Sequence, residues 1–207
     1  VKENHMRHDV MIDLETLGTG VHAPIFQISA VLFDIKTGKI LEEFQRVIDI
    51  NTIPNIKIET ETLKWWLKTN PTLMADLIVK QGTFDYLESL DMFAGWIKCW
   101  GVQSKETFLW GNGENFDNVI LRQAFVDNNM TYPIRYDCDR DLRTLVDMTC
   151  MKTGMFEKEI RNIFTDSTVQ AHDARNDTLY QIRYASWCYN MLTNNDMVST
   201  KVIRSGV

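Results

Sequence analysis

No run of apolar residues in the 207-residue chain approaches the roughly 18 that a membrane span requires. Nor do the opening residues read as a signal peptide, so a membrane-spanning role is not expected and residence in the cytoplasm is. The four cysteines, Cys99, Cys138, Cys150 and Cys188, are scattered without C-x-x-C spacing. That argues against a structural zinc site and a disulfide framework, and favours reduced, buried thiols. An excess of basic charge is missing too: 22 Lys and Arg against 28 Asp and Glu leave a net charge of −6. A passive nucleic-acid binder does not usually look like this. A hydrolase that gathers carboxylates around metal ions escapes the objection, because bound cations neutralise the surface that meets phosphate. Repeats, low-complexity tracts and a linker are also absent. One domain over residues 6–195 is expected, with a frayed tail over 196–207. Residues 1–5 fit no pattern; they read either as a remnant ahead of a start at Met6 or as part of a longer parent chain.

What is present reads first as a sheet. Residues 9–13 form a short apolar run ending in an acid. Residues 24–35 (PIFQISAVLFDI) are rich in β-branched and aromatic side chains, and residues 40–50 return after the turn-like Thr37-Gly38-Lys39. Three such strands make an antiparallel meander. Helical signals follow: a start near Thr62 with Thr60 or Thr62 as N-cap, and a second start at Pro71. A 3.6-residue period then runs over 84–100, with Gly101 as its stop. A strand over 107–110 leads to a helix with apolar positions 116, 119, 120, 121, 124 and 125. Residues 134–136 are the candidate last strand, Asp141 a cap for a helix to about Met151, and 154–169 are expected to be irregular. A closing helix is expected over 171–192. The order implies an α/β fold with a central mixed sheet flanked by helices.

Four places carry acid or base chemistry. Asp13 and Glu15 stand two apart at the end of the first strand, so both carboxylates can point to one face. Such a pair suits a hard cation such as Mg²⁺ or Mn²⁺, although D-x-E alone is a weak signal and reads more readily as a solvated strand end. Asp117 lies early in the helix after Trp110-Gly111, where the macrodipole alone favours a carboxylate. His172 and Asp177 are five apart near the start of the last helix. Helical geometry would set them about 140° apart, able to border one cleft without touching. A base beside a metal ligand and an ordinary polar helix face are both open readings. Trp65 and Trp66 point about 100° apart, so one can enter the core while the other, Trp65, offers a stacking face. Arg140 and Arg143 are candidates for phosphate contact, or for pairing with neighbouring acids such as Asp141 or Asp147.

Taken in order, these pieces resemble the DEDD exonuclease superfamily. Asp13-Leu14-Glu15-Thr16 matches its D-x-E-T motif, and Asn115-Phe116-Asp117 matches its second. His172 to Asp177 matches the H-x-x-x-x-D of the DEDDh branch. Residues 13–18 (DLETLG), the paired tryptophans of 62–66 (TLKWW), 115–121 (NFDNVIL) and 140–144 (RDLRT) are similar to two relatives within it. These are the phage exonuclease A type of 3′→5′ DNA exonuclease and the mycobacterial-type 3′→5′ exoribonuclease. The resemblance spans residues 9 to about 190.

It implies an RNase H-like fold and stepwise removal of nucleotides from the 3′ ends of single-stranded nucleic acid, RNA or DNA. It also implies a homodimer as one assembly to expect. Asp13, Glu15, Asp117 and Asp177 would hold two Mg²⁺ ions, with Mn²⁺ able to substitute, roughly 3.5–4 Å apart. One ion would activate water and the other ease departure of the 3′ oxygen. His172 would be the general base, and Asp173 is the rival to Asp177 as fourth ligand. The Thr16-Leu17 segment would hold the terminal nucleotide, with Leu17 against its base; as bare sequence Leu17 reads equally as core. Two alternatives share the fold: an RNase H-like endonuclease, which has no need of the H-x-x-x-x-D helix, and a catalytically silent binding module.

Overall fold

The run His8–Thr16 alternates apolar side chains between two directions and forms the central strand, β1. Its neighbours are β2 (Ile25–Phe33), antiparallel, and β4 (Thr107–Gly111), parallel. Outside these lie β3 (Ile40–Val47) and β5 (Asp139–Asp141), giving the order β3-β2-β1-β4-β5. This computed structural model describes residues 7–99, 107–166 and 168–194. The readings made for residues 1–5, for Gly101 and for the tail over 196–207 lie outside the described residues.

Every residue of β2 is buried, which requires cover on both faces of the sheet. On one face Val10, Ile12, Leu14, Ile28, Ala30 and Leu32 pack with residues of α3 (Tyr86–Cys99) and α4 (Asp117–Asp127). On the other, Met11, Val31, Phe33 and Trp110 meet α5 (Leu142–Thr153), α6 (Glu157–Phe164) and α7 (Ala174–Thr193). A smaller cluster of Leu17, Phe26, Trp66, Met74 and Leu77 seats α1 (Thr60–Thr69), α2 (Pro71–Ala75) and the π-helical turn Asp76–Gln81 beside the end of β1. The result is the mixed sheet flanked by helices that the element order implied.

Several boundaries differ from the sequence reading. The last strand is Asp139–Asp141, not 134–136. Ile134 supplied an apolar signal because it plugs the core from a loop, while Tyr136 is exposed. The strand itself consists of charged residues, and its backbone pairs with β4. Residues 154–169 are not wholly irregular, since they contain α6. That helix has eight residues, four of them charged, and one buried residue, Ile160, so its period is too short to register. The N-cap of α1 is Glu59, not Thr60 or Thr62. Its carboxylate accepts from the Thr19 hydroxyl at 3.1 Å and the Gly20 N–H at 3.2 Å, which ties the loop after β1 to α1. Finally, α7 begins at Ala174 with Asp173 as its cap, so His172 precedes the helix. All four cysteines are free. No helix among the described residues is long and apolar enough to cross a membrane.

Candidate active site

Strand alternation carries Asp13 and Glu15 onto the Met11 face at the carboxyl end of β1, where α7 crosses β1 and β2. There α7 supplies Asp177, and one carboxylate oxygen from each of Asp13, Glu15 and Asp177 lies within 4.8 Å of the others. Asp117 opens α4 just past the end of β4 and is buried; its Oδ1 accepts the Leu14 N–H at 3.1 Å. The site therefore stands outside the carboxyl ends of two parallel strands, β1 and β4, where α/β sheets leave a crevice.

Crowding these acids together is unfavourable without a cation. Burial holds the Asp13 carboxyl well above the usual carboxylate range, and Asp117 and Asp177 push it further. Burial and then Asp13 push Glu15 up to about 10. Burial lifts Asp117 to about 7 against the pull of the Leu14 N–H. Asp177 is raised by burial, while the His172 N–H opposes the shift. None of the four forms an ion pair among the described residues. A set of oxygen-only donors that resists its own ionisation fits a hard divalent cation. No cysteine or histidine belongs to the group, so it does not resemble a zinc site.

His172 adopts φ +64°, and its N–H donates to Asp177 Oδ2 at 3.1 Å. The helical angle expected between the two therefore does not apply, and they touch through the backbone. The imidazole meets the Trp65 ring edge-on at 5.0 Å. Asp173 is engaged elsewhere: Oδ1 caps α7 by accepting the Asn176 N–H at 3.1 Å, and Oδ2 accepts from Gln27 Nε2 at 3.3 Å.

Beside the carboxylates opens a cleft of 480 Å³ whose walls include Leu14, Glu15, Thr16, Trp65 and Phe116. Trp65 is 43% exposed, while Trp66 is buried and donates from Nε1 to the Thr16 carbonyl at 3.2 Å. Leu17 is not on this wall. It is fully buried with Phe26 and Trp66, so its side chain has no surface to offer a base; the half-buried Phe116 gives the wall apolar surface beside Trp65. Arg143 is exposed, borders a second opening with Gly113 and Phe116, and exerts a positive field on Asp117. Arg140 turns away: its guanidinium donates to the carbonyls of Asp137 and Asp139 and stacks on Phe108 at 4.2 Å.

One contact at the site escaped the sequence reading. Gln181, buried on α7, donates from Nε2 to Asp13 Oδ1 at 2.7 Å. The available signal was its spacing, one turn beyond Asp177 and on the same helical face.

Comparison with known proteins agrees with this geometry. The 3′→5′ exoribonuclease Rv2179c-like domain model matches residues 8–189. An exodeoxyribonuclease of Enterobacteria phage T4 is 21% identical over 205 residues, covering 86% of this chain and 90% of the phage enzyme. Among solved structures, cell-death related nuclease 4 superposes with a TM-score of 0.66 at 14% identity, over 90% of this chain and 64% of that one. The nuclease domain of 3′hExo, a DEDDh family member bound to rAMP, gives 0.61 at 14% identity, over 90% and 94%. A zinc-bound E. coli ExoI–ssDNA complex gives 0.63 at 18%, over 92% of this chain and 42% of that chain. At these identities the structural matches speak for the fold, which is that of DEDDh exonucleases, while the matched model spans nearly all of the sequence. The chain belongs to the Rv2179c-like 3′→5′ exoribonuclease domain family and is a 3′→5′ exonuclease that hydrolyses phosphodiester bonds in nucleic acid.

Proposed function

We propose that this exonuclease removes single nucleotides from the 3′ ends of single-stranded RNA or DNA, with two Mg²⁺ ions as its cofactors and Mn²⁺ able to replace them. The observation that carries the metal reading is the convergence of Asp13, Glu15 and Asp177 oxygens within 4.8 Å, with Asp117 raising the pKa of Asp13. These four carboxylates would hold the ions, which when bound supply positive charge for the phosphate oxygens and lower the pKa of water.

The protein's own groups do the rest. His172 is the proton acceptor for the attacking water. Gln181 holds Asp13 by its Oδ1, fixing the carboxylate's orientation. The terminal nucleoside enters the cleft beside Glu15 and Thr16, where Trp65 gives a stacking face and Phe116 gives apolar contact. Arg143, exposed beside Asp117, would meet a phosphate oxygen.

A 5′-labelled single-stranded oligomer should shorten in single-nucleotide steps, stop in EDTA and resume with Mg²⁺. A circular single strand should survive. Cutting of the circle, or full activity in excess chelator, would overturn the reading. The matched family is described as exoribonuclease and the phage relative as exodeoxyribonuclease, so parallel time courses on matched RNA and DNA decide the sugar. The same proposal includes a homodimer, which sedimentation equilibrium tests.

A further inference from the structure

The backbone of His172 is in the left-handed region at φ +64°, a conformation a side-chain-bearing residue keeps only when its surroundings over-determine it. Five contacts hold it, one of them from Gln170 Nε2 to the Ala171 carbonyl at 3.3 Å. Its N–H donates to Asp177 Oδ2 at 3.1 Å. Its ring lies edge-on to Trp65 at 5.0 Å and to Trp66 at 6.4 Å. The carbonyl just before it, that of Ala171, accepts from Asn70 Nδ2 at 3.2 Å.

Asn70 has a place in the chain where its side chain would ordinarily act locally. It is the C-cap of α1 and the N-cap of α2, and an N-cap asparagine usually accepts from the first-turn N–H groups. Here it makes no side-chain cap bond to α2, and its backbone N–H closes α1 on the Trp66 carbonyl. The amide instead crosses to a residue 101 positions later in the chain. Trp65, Trp66 and Asn70 thus reach the His172 loop from one corner of α1, and Trp65 also lines the nucleoside cleft. An occupant of the cleft and the imidazole share one wall.

We infer that Asn70 is a positioning residue that, together with Trp65, fixes the His172 loop and ties the base's placement to the cleft that receives the substrate. The inference rests on His172 being the proton acceptor. Asn70 touches no carboxylate of the site, so its effect must travel through the loop it holds.

Single-turnover rates for Asn70→Ala and the isosteric Asn70→Asp, which lacks the donor, test this alone and in a His172→Ala background. Each should lower kcat about tenfold, the scale of one lost neutral hydrogen bond, with KM nearly unchanged. Asn70→Gln, which keeps an amide, should recover part of the rate. In His172→Ala protein the Asn70 changes should cost nothing further, because both act on one group. In metal-free protein, amide exchange at His172 should accelerate in Asn70→Ala. Because the side chain caps neither helix, melting temperature should move little; if Asn70→Ala fails to fold, the isosteric Asn70→Asp carries the test. A wild-type kcat in both Asn70 variants, or the same loss repeated in the His172→Ala background, would overturn the inference while leaving the base intact. A wild-type rate in His172→Ala itself would remove the base and this inference with it.

Discussion

Replacing Asp117 by asparagine deletes one buried charge and little else, because the amide oxygen can still accept the Leu14 N–H that Oδ1 now accepts at 3.1 Å. The carboxyl rises from 3.8 to about 7, mainly through burial. The folded protein therefore keeps a proton that the unfolded chain releases across this window. Stability without metal falls as pH rises from about 4 to about 7 and is level above that. At about 1.4 kcal/mol for each tenfold change in proton affinity, the rise amounts to roughly 4 kcal/mol, of which roughly 3 kcal/mol develops between about pH 4.5 and about pH 8. The amide of asparagine must itself be desolvated, which reduces the net gain to about 2–3 kcal/mol. A domain of this size converts each kcal/mol into about 2–4 °C. Melting in EDTA at about pH 8 should thus place Asp117→Asn roughly 5–10 °C above wild type, with the gap vanishing near about pH 4.5. Adding Mg²⁺ should raise wild type and leave the variant much less changed. Equal melting at pH 8, or a gap that does not vary with pH, would refute the electrostatic account.

Other outcomes follow from the same geometry. Asp177→Ala should lose orders of magnitude in rate, whereas Asp173→Ala should stay active and lose about 1 kcal/mol of stability as a helix cap; calorimetry and single-turnover assays separate the two. His172→Ala should keep metal affinity by titration but lose about 10²–10⁴-fold in kcat. Mg²⁺ binding should release protons near neutral pH, because ionisation of Glu15 and Asp117 is held back until a cation arrives; weakly buffered titration measures this, and affinity should fall as pH falls. A 3′-phosphate should block degradation and a 5′-phosphate should not, since the added charge crowds the cleft beside Glu15; equal rates on both ends would count against the proposed pose.

The core of the fold was legible because β1 and β2 are apolar runs and α3 and α4 bury apolar residues at the helical period, and the carboxylates lie at ends of such elements. Asp13 and Glu15 could be paired from spacing alone, since strand alternation is local. What escaped depends on tertiary context. Strand β5 is three charged residues recruited by backbone pairing to β4, and Ile134 nearby imitates a strand while serving the core. Leu17 is the clearest case at the site: its position after D-x-E-T resembles a base contact, but the packing of α1 and α2 over the end of β1 encloses it with Phe26 and Trp66. Arg140 and Arg143 are three residues apart, yet one is held by carbonyls and Phe108 and the other borders the opening beside Asp117, which no local rule distinguishes. Gln181 had a local signal, but the meaning of that signal depends on α7 crossing β1.

Charge is where the pieces meet. An acidic chain that degrades a polyanion needs its attraction concentrated, and the described structure offers little of it in arginine and lysine near the cleft. Arg140 is directed to carbonyls and Phe108, Arg175 pairs with Glu43, and Arg161 pairs with Glu157. Arg143 remains beside Asp117, and Arg183 lines an opening next to Asp177. The cluster of Asp13, Glu15 and Asp177 would repel a phosphate if ionised, and its shifted carboxyls keep part of that charge neutral until a cation enters. One set of residues thereby binds the cofactor and switches the local field from unfavourable to favourable for the substrate. On this account the same burial that destabilises the metal-free protein makes substrate engagement depend on metal, so mutations that relieve the first should weaken the second.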